Sequence, residues 1–306
     1  AICIRNDLVN ALEEILSDYK RSSIKINDAT DKGQNLLRVL VAEDVDVNRR
    51  IAEEMLGLIG CDVDHAVDGV EAVKRFVEGS YDLVLMDCQM PRMDGFEATC
   101  KIREIERSTS GQPTPIYALT AGTSNEDRKR FHEVGMDGYL AKPFTLAQIS
   151  SLVSSLSEKV APADIHPSED EISFIDLDNA SSADDLKSLE IVNFSSIESI
   201  RDVERQTGSE LLPALVSGYA QQVRDKLYEL SLAIENESSI EVYKAAHAIK
   251  SMSANMGANR VRHVASFIED NGKKEDLVAA SKQADRLQPL INEFLNSLTQ
   301  EELAKL

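Results

Sequence analysis

Between residues 36 and 157 the chain alternates short apolar runs with longer stretches whose apolar residues recur every three or four positions. The runs at 36–42, 61–66, 83–86, 115–119 and 138–141 have the length of strands. One of them, Leu83-Val84-Leu85-Met86, is apolar throughout, as a strand covered on both faces is. Residues 48–58 place Ile51, Met55 and Leu58 at helical spacing, and 96–105 place Phe96, Cys100 and Ile105 likewise. Helical stretches at 70–77, 126–134 and 146–156 complete the set. Five strands alternating with five helices in about 120 residues predict an α/β domain, a doubly wound five-stranded parallel sheet.

Beyond about residue 190 the strand-like alternation stops. Amphipathic helical stretches follow at 197–206, 210–235, 240–256, 259–270 and 277–298, separated by short polar breaks such as Asn236-Glu237-Ser238. This pattern predicts an all-α antiparallel bundle. Between the two halves, residues 158–190 hold ten acids and two lysines, net −8, with Pro162 and Pro167 among them. Like charge and few apolar residues predict a solvated linker. Residues 1–35 read as a β-α-β fragment, with Arg5-Asn6 where Glu43-Asp44 stand in the following domain.

The strand ends of the first half carry chemistry. Asp87 closes the run 83–86 and precedes the turn Met90-Pro91-Arg92-Met93-Asp94-Gly95. Glu43-Asp44 follow the first run, Thr120 the fourth, and Lys142 the fifth, just before Pro143. Ligands of open α/β sheets bind beyond the carboxyl ends of the strands. A single strand-end Asp is more often a turn or helix-capping residue than a catalyst. Adjacent carboxylates, however, repel each other unless a cation neutralises them, and hard oxygen donors with water suit Mg²⁺. Acids, a hydroxyl and an ammonium at successive strand ends could hold Mg²⁺ and a phosphoryl group together.

Through Glu43-Asp44, Asp87, Met90-Pro91-x-Met93-Asp94-Gly95, Ala118-Leu119-Thr120-Ala121 and Lys142-Pro143, residues 36–157 resemble a response-regulator receiver domain. That resemblance implies a flavodoxin-like fold with Asp87 as phospho-acceptor. It implies Mg²⁺ bound by Asp44, Asp87 and the backbone carbonyl of Gln89, with Glu43 acting mainly through water. Thr120 and Lys142 would take phosphoryl oxygens, Tyr139 would be a switch aromatic, and the Lys142–Pro143 bond would be cis. Phosphoryl transfer needs mainly positioning and charge neutralisation, which such a set supplies. Haloacid-dehalogenase-like hydrolases also use a strand-end Asp nucleophile. They need a second acid two residues later, and this chain has Gln89 there.

In the helical half, residues 242–258 can be placed on a wheel at about 100° per residue. Val242, Ala245, Ala246, Ile249, Met252 and Met256 fall on one apolar arc, and His247 lies nearly opposite. Its neighbours at helical spacing are Lys250, Ser251, Ala254 and Ala258. An exposed imidazole among small side chains is ordinarily just a solvated histidine, but such a strip also lets a partner approach closely. The run Ala246-His247-Ala248-Ile249-Lys250-Ser251-x-Ser253-Ala254-Asn255-x-Gly257-Ala258 resembles a histidine phosphotransfer (HPt) domain over residues 191–306. The resemblance implies a four-helix bundle, His247 as phospho-acceptor and Lys250 holding the phosphoryl group. Ser251 stands where the family often has Gly.

The remaining composition narrows the function. A net charge of −20 argues against nucleic acid as a partner. No apolar stretch approaches the ~18 residues of a membrane helix, and the four cysteines show no CxxC pairing. A reducing, cytoplasmic setting is the expectation, which includes the cytoplasmic part of a membrane-bound sensor. The receiver-then-HPt order resembles the C-terminal part of a hybrid sensor histidine kinase, and the chain begins with Ala, so a piece of a longer protein is expected. The Gly-rich Asp-x-Gly-x-Gly motif of a kinase ATP site is absent from it. The expected function is a phosphorelay segment: an upstream histidine kinase domain phosphorylates Asp87, His247 takes the phosphoryl group, and a separate response regulator receiver accepts it. Two alternatives stay open: a phosphate sink draining His247 through Asp87, and an interaction module controlled by phosphorylation. Dimerisation through the parent kinase also stays open.

Overall fold

The computed structural model describes residues 36–108, 111–120, 125–157, 186, 188–208 and 210–304. The expected fragment at 1–35 and the greater part of the linker, residues 158–185 and Lys187, lie outside the described residues, as does Ala121.

The first half runs β1 (Arg38–Ala42), α1 (Asp46–Ile59), β2 (Asp62–Ala66), α2 (Gly69–Glu78), β3 (Leu83–Asp87), α3 (Gly95–Arg107), β4 (Ile116–Thr120), α4 (Asn125–Val134), β5 (Gly138–Ala141) and α5 (Leu146–Ser157). All five strands are parallel, in the order β2-β1-β3-β4-β5. Every residue of β3 and β4 is buried, which is why these strands read as unbroken apolar runs. Leu40, Met86, Ile102, Ile116 and Phe131 join one core cluster. The edge strand β2 differs, with Asp62, Asp64 and His65 in five residues. Arg38 ties that edge down through Asp64 at 2.7 Å, and its backbone N–H donates to Asp82 at 2.8 Å. Charges along an open edge discourage pairing with a second sheet.

The strand order matters for function. The chain leaves β1 toward β2 on one side and returns to β3 on the other. A topological switch point therefore lies between the carboxyl ends of β1 and β3, where a crevice forms.

The second half comprises α6 (Phe194–Thr207), α7 (Leu211–Glu235), α8 (Ser239–Asn255), α9 (Asn259–Lys273), α10 (Leu277–Ala284) and α11 (Leu287–Ala304). Helix α8 packs against both α7 and α9, and α11 closes on α7 and α9, so four long helices form a bundle. Val242, Ile249, Met252 and Met256 are its core, as their spacing predicts. Tyr219 meets Phe294 edge-on at 5.6 Å, and its hydroxyl lies 3.0 Å from Ser253 Oγ. The single helix expected over 277–298 is in fact two, α10 and α11. Pro289 is the cause: it has no N–H for the carbonyl four residues back, and its ring crowds that carbonyl. It is tolerated in the first turn of α11, where no such bond is due. Among the described residues no helix is long and apolar enough to cross a membrane.

Candidate functional site

The switch point is lined with acid. Asp87 is the last residue of β3, and Glu43 and Asp44 directly follow β1, whose Ala42 is in register with Met86. One carboxylate oxygen from each of Glu43, Asp44 and Asp87 lies within 4.8 Å of the others. Glu43 and Asp87 are buried and Asp44 is half-buried. Three carboxylates so close, two of them out of water, repel strongly without a cation, and an all-oxygen donor set fits a hard divalent one. Thr120 ends β4 level with Ala141 of β5, and Lys142 is the next residue. Both are buried, and the Lys142–Pro143 bond is cis as expected. The topology thus brings Glu43, Asp44, Asp87, Thr120 and Lys142 to one edge of the sheet.

The loop after β3 is fastened on several sides. The Gln89 N–H donates to Asp87 Oδ1 at 3.2 Å, and the Gly95 N–H donates to the Cys88 carbonyl at 3.1 Å. Asp94 caps α3 by accepting from the Glu97 N–H at 2.8 Å. The Gly69 N–H donates to the Met93 carbonyl at 3.2 Å, and Arg92, held at φ 65°, pairs with the buried Asp68 that caps α2. The Arg92–Asp68 pair is absent from any short-range sequence pattern. Tyr139 turns inward: its ring is 5.9 Å from Phe131, which in turn stacks 5.9 Å from Phe96.

The second predicted site sits on α8 and differs from expectation. The His247 side chain is only 12% exposed, and its Nδ1 lies 3.0 Å from Glu269 Oε1. Ser251, Ala254 and Ala258 are buried as well. A wheel judges one helix alone and assigns its far side to solvent. Here α8 packs against both α7 and α9, and Glu269 of α9 covers one side of the imidazole. Lys250, one turn on, pairs with Glu269 Oε2, and Lys273 Nζ lies 3.6 Å from Oε1. Gly272 explains the closeness. A Cβ there would sit 2.9 Å from the Tyr243 backbone N and 3.1 Å from its Cα, so only glycine lets α9 lie this near α8. Glu269 stands one turn before Gly272 and His247 one turn after Tyr243, so the same crossing sets acid against imidazole.

Glu269 is the functional residue the sequence reading passed over. It did leave a signal, because Val261, Ala265 and Gly272 mark the inward stripe of α9 and Glu269 falls on it. Burial alone raises its carboxyl pKa. The hydrogen bond from His247 and the charges of Lys250 and His247 outweigh that and hold it at about 2. A depressed carboxylate contributes stability that is present above its unfolded pKa and lost as pH falls through the folded one. A drop from the ordinary value of 4.5 to about 2 in a side chain 2% exposed corresponds to about 3 kcal/mol. Helical unfolding followed against urea should therefore weaken steeply from pH 5 to pH 2. The Glu269→Gln chain should be less stable at pH 5 and converge with the parent at pH 2. Parallel pH curves for the two chains would rule out this role.

Comparison with known proteins agrees with this layout. The response regulator receiver domain matches residues 39–154 and the Hpt domain matches residues 214–301, with α6 lying ahead of the second match. Hybrid signal transduction histidine kinase B of Dictyostelium discoideum is 40% identical over 138 residues, covering 42% of this chain and 7% of that protein. Histidine kinase 1 of Arabidopsis thaliana is 36% identical over 185 residues, covering 50% of this chain and 15% of that protein. The chain thus spans a small part of these relatives, 7% and 15% of their lengths. Among solved structures, the receiver domain of sensor histidine kinase PA1611 from Pseudomonas aeruginosa is 37% identical, with a TM-score of 0.36, over 42% of this chain and 99% of that one. Residues 39–154 are a response regulator receiver domain and residues 214–301 an Hpt domain, the two carrier modules of a two-component phosphorelay.

Proposed function

We propose that this chain is the carrier segment of a phosphorelay that runs from a histidine kinase domain, through Asp87 and then His247, to a separate response regulator receiver. The observation that carries the reading is the convergence of Glu43, Asp44 and Asp87 within 4.8 Å at the switch point of a receiver sheet, in one chain with an Hpt histidine. A carboxylate oxygen of Asp87 bonds to the phosphorus of a donor phosphohistidine, and the P–N bond breaks with its electrons returning to the donor imidazole. In the second step His247 Nε2 bonds to that phosphorus, and the P–O bond breaks with its electrons returning to the Asp87 carboxylate. In the third step a carboxylate of the downstream receiver takes the phosphoryl group from His247.

Asp44, Asp87 and the Gln89 carbonyl would hold Mg²⁺, with Glu43 acting mainly through water; two buried acids and one half-buried acid are a donor set suited to it. When bound, that ion neutralises phosphoryl oxygens. Thr120 donates its hydroxyl to a phosphoryl oxygen, and Lys142 places a positive charge beside another. The Gln89 N–H donates to Asp87 Oδ1 and so orients the carboxylate. Lys250 lies one turn from His247 and can exchange its Glu269 partner for the phosphoryl group.

The test uses His247→Gln in the full chain with a phosphorylated histidine kinase domain and a panel of receivers. Label should still reach Asp87 and none should pass to any receiver that accepts it from the parent chain. Onward delivery at the parent rate would show that the relay bypasses the helical half. A parent chain that delivers to no receiver, and that loses label placed on His247 to water faster with Asp87 than with Asp87→Asn, would favour the sink.

A further inference from the structure

Two loops supply the groups proposed for Mg²⁺, and a third, which supplies none, joins them. Glu43 and Asp44 follow β1, while Asp87 and Gln89 stand at and just beyond the end of β3. The corner between β2 and α2, residues 66–69, touches both. The Glu43 N–H donates to the Ala66 carbonyl at 3.0 Å, which ties the acid pair to the corner. On the other side the Gly69 N–H donates to the Met93 carbonyl at 3.2 Å, and Arg92 pairs with Asp68. Gly69 permits that closeness, since a Cβ on it would stand 2.6 Å from the Met93 carbonyl oxygen. Arg92 holds φ at 65°, a conformation that glycine adopts readily and a residue with a Cβ does not. Its side chain is 53% exposed, yet the guanidinium turns to a carboxylate only 2% exposed. Asp68 Oδ1 accepts the Glu71 N–H at 2.9 Å to cap α2, and Oδ2 is the oxygen given to Arg92. Asparagine would cap as well and glycine would turn as well, so neither local need accounts for the two charges.

We propose that Asp68 and Arg92 are a positioning pair: they hold the turn after β3 where Mg²⁺ needs it relative to Glu43 and Asp44, and so set the ion's affinity without touching it. This rests on the metal reading above. The path from the pair to the proposed ligand is short and stiff. Gln89, whose carbonyl would be a ligand, lies three residues before Arg92. Between them Pro91 has its φ fixed by its ring, and its carbonyl accepts the Met93 N–H at 2.7 Å. Nearer β3, the Cys88 carbonyl accepts the Gly95 N–H at 3.1 Å. Both ends of the segment that carries the Gln89 carbonyl are therefore tied, one to α3 and one to the corner before α2. Breaking the pair loosens the second tie. Mg²⁺ demands near-ideal octahedral geometry, so it is sensitive to the placement of each oxygen donor.

The experiment titrates Mg²⁺ into the full, unphosphorylated chain and reads its dissociation constant by calorimetry. The chains are the parent, Asp68→Asn, Arg92→Gln, Arg92→Gly and the double variant Asp68→Asn with Arg92→Gln. Asp87→Asn serves as the blank for binding elsewhere on the acidic surface. Asp68→Asn keeps the cap of α2 and removes only the charge, so it is the variant that folds most like the parent. Each single variant should bind Mg²⁺ about tenfold more weakly, as loss of a residue that orients metal ligands does. The double variant should lose no more than either single one, because the same pair is broken once. The sign of the shifts separates positioning from long-range charge. By charge alone, Asp68→Asn would weaken Mg²⁺ and Arg92→Gln would tighten it. Opposite shifts, or none, overturn the proposal. Arg92→Gly keeps the turn and loses the pair, so binding at the parent's strength in that chain overturns it as well. Labelling by acetyl phosphate should be slow at low Mg²⁺ and return to the parent rate at saturation. A rate that stays low at saturation overturns the claim that the pair acts through affinity. A parent that binds no more Mg²⁺ than the Asp87→Asn blank overturns the metal reading and this inference with it. A parent that binds, beside variants that bind equally well, overturns the inference alone.

Discussion

Asp87→Asn should take up no phosphoryl label from acetyl phosphate or from a donor phosphohistidine, while the receiver half becomes more stable in metal-free buffer. The two effects have one cause. Asparagine matches the shape of aspartate but lacks the negative oxygen that must bond to phosphorus, so the nucleophile is gone and the strand is untouched. The same charge is one of three carboxylates within 4.8 Å of one another, with Glu43 and Asp87 both buried. Two unit charges about 4–5 Å apart repel by about 3–4 kcal/mol at an effective dielectric of about 20. Relief of part of that should raise the urea unfolding free energy by on the order of 1–2 kcal/mol, and most of the stabilisation that added Mg²⁺ gives the parent should vanish. Labelling that persists would remove Asp87 from the role. A variant less stable than the parent without Mg²⁺ would mean that the three acids are not strained by one another.

The receiver half was legible because its geometry is written locally. Strands buried on both faces must be apolar throughout, so β3 and β4 announce themselves, and whatever polar residue ends such a run has to stand at the sheet edge. Asp87 and Thr120 follow from that alone. Glu43-Asp44 and Lys142 follow from the alternation that makes every crossover parallel. The helical half was less legible because an amphipathic wheel knows one helix. It placed Ile249 and Met252 in the core correctly, but it could not know that Gly272 of α9 lies against the Tyr243 backbone. That contact covers His247 with Glu269, 22 residues away. The Arg92–Asp68 pair is hidden for the same reason, since nothing near either residue specifies the other. Pro289 is a different case: the break between α10 and α11 stood in the sequence, and a helical period on both sides of it concealed the stop.

Gly95→Ala should cost the receiver its phosphorylation even though no reacting atom is changed. A Cβ at position 95 would stand 2.0 Å from the carbonyl oxygen of Asp87, 2.9 Å from that carbonyl carbon and 2.9 Å from Met86 Cγ. The first obstacle is backbone, so no rotamer change relieves it. Nor can the helix simply move aside. The Gly95 N–H is bonded to the Cys88 carbonyl at 3.1 Å, Asp94 caps the same turn, and Ala98 on that helix is wholly buried. The end of β3 and the start of α3 must separate by about an ångström. Overpacking of this kind destabilises by roughly 1–3 kcal/mol. A misplacement of about 1 Å in a group that must meet phosphorus in line is worth about a hundredfold in rate. Gly57 provides the control, since a Cβ on it meets nothing within 4 Å in the middle of α1. Gly57→Ala should stabilise the receiver by about 0.5–1 kcal/mol and leave labelling unchanged. The measurement pairs urea midpoints with initial rates of acetyl phosphate labelling at Asp87 for both chains. A Gly95→Ala chain that folds and labels at the parent rate would show that the approach of α3 to Asp87 does not position the nucleophile. Folding with slow labelling would show that it does.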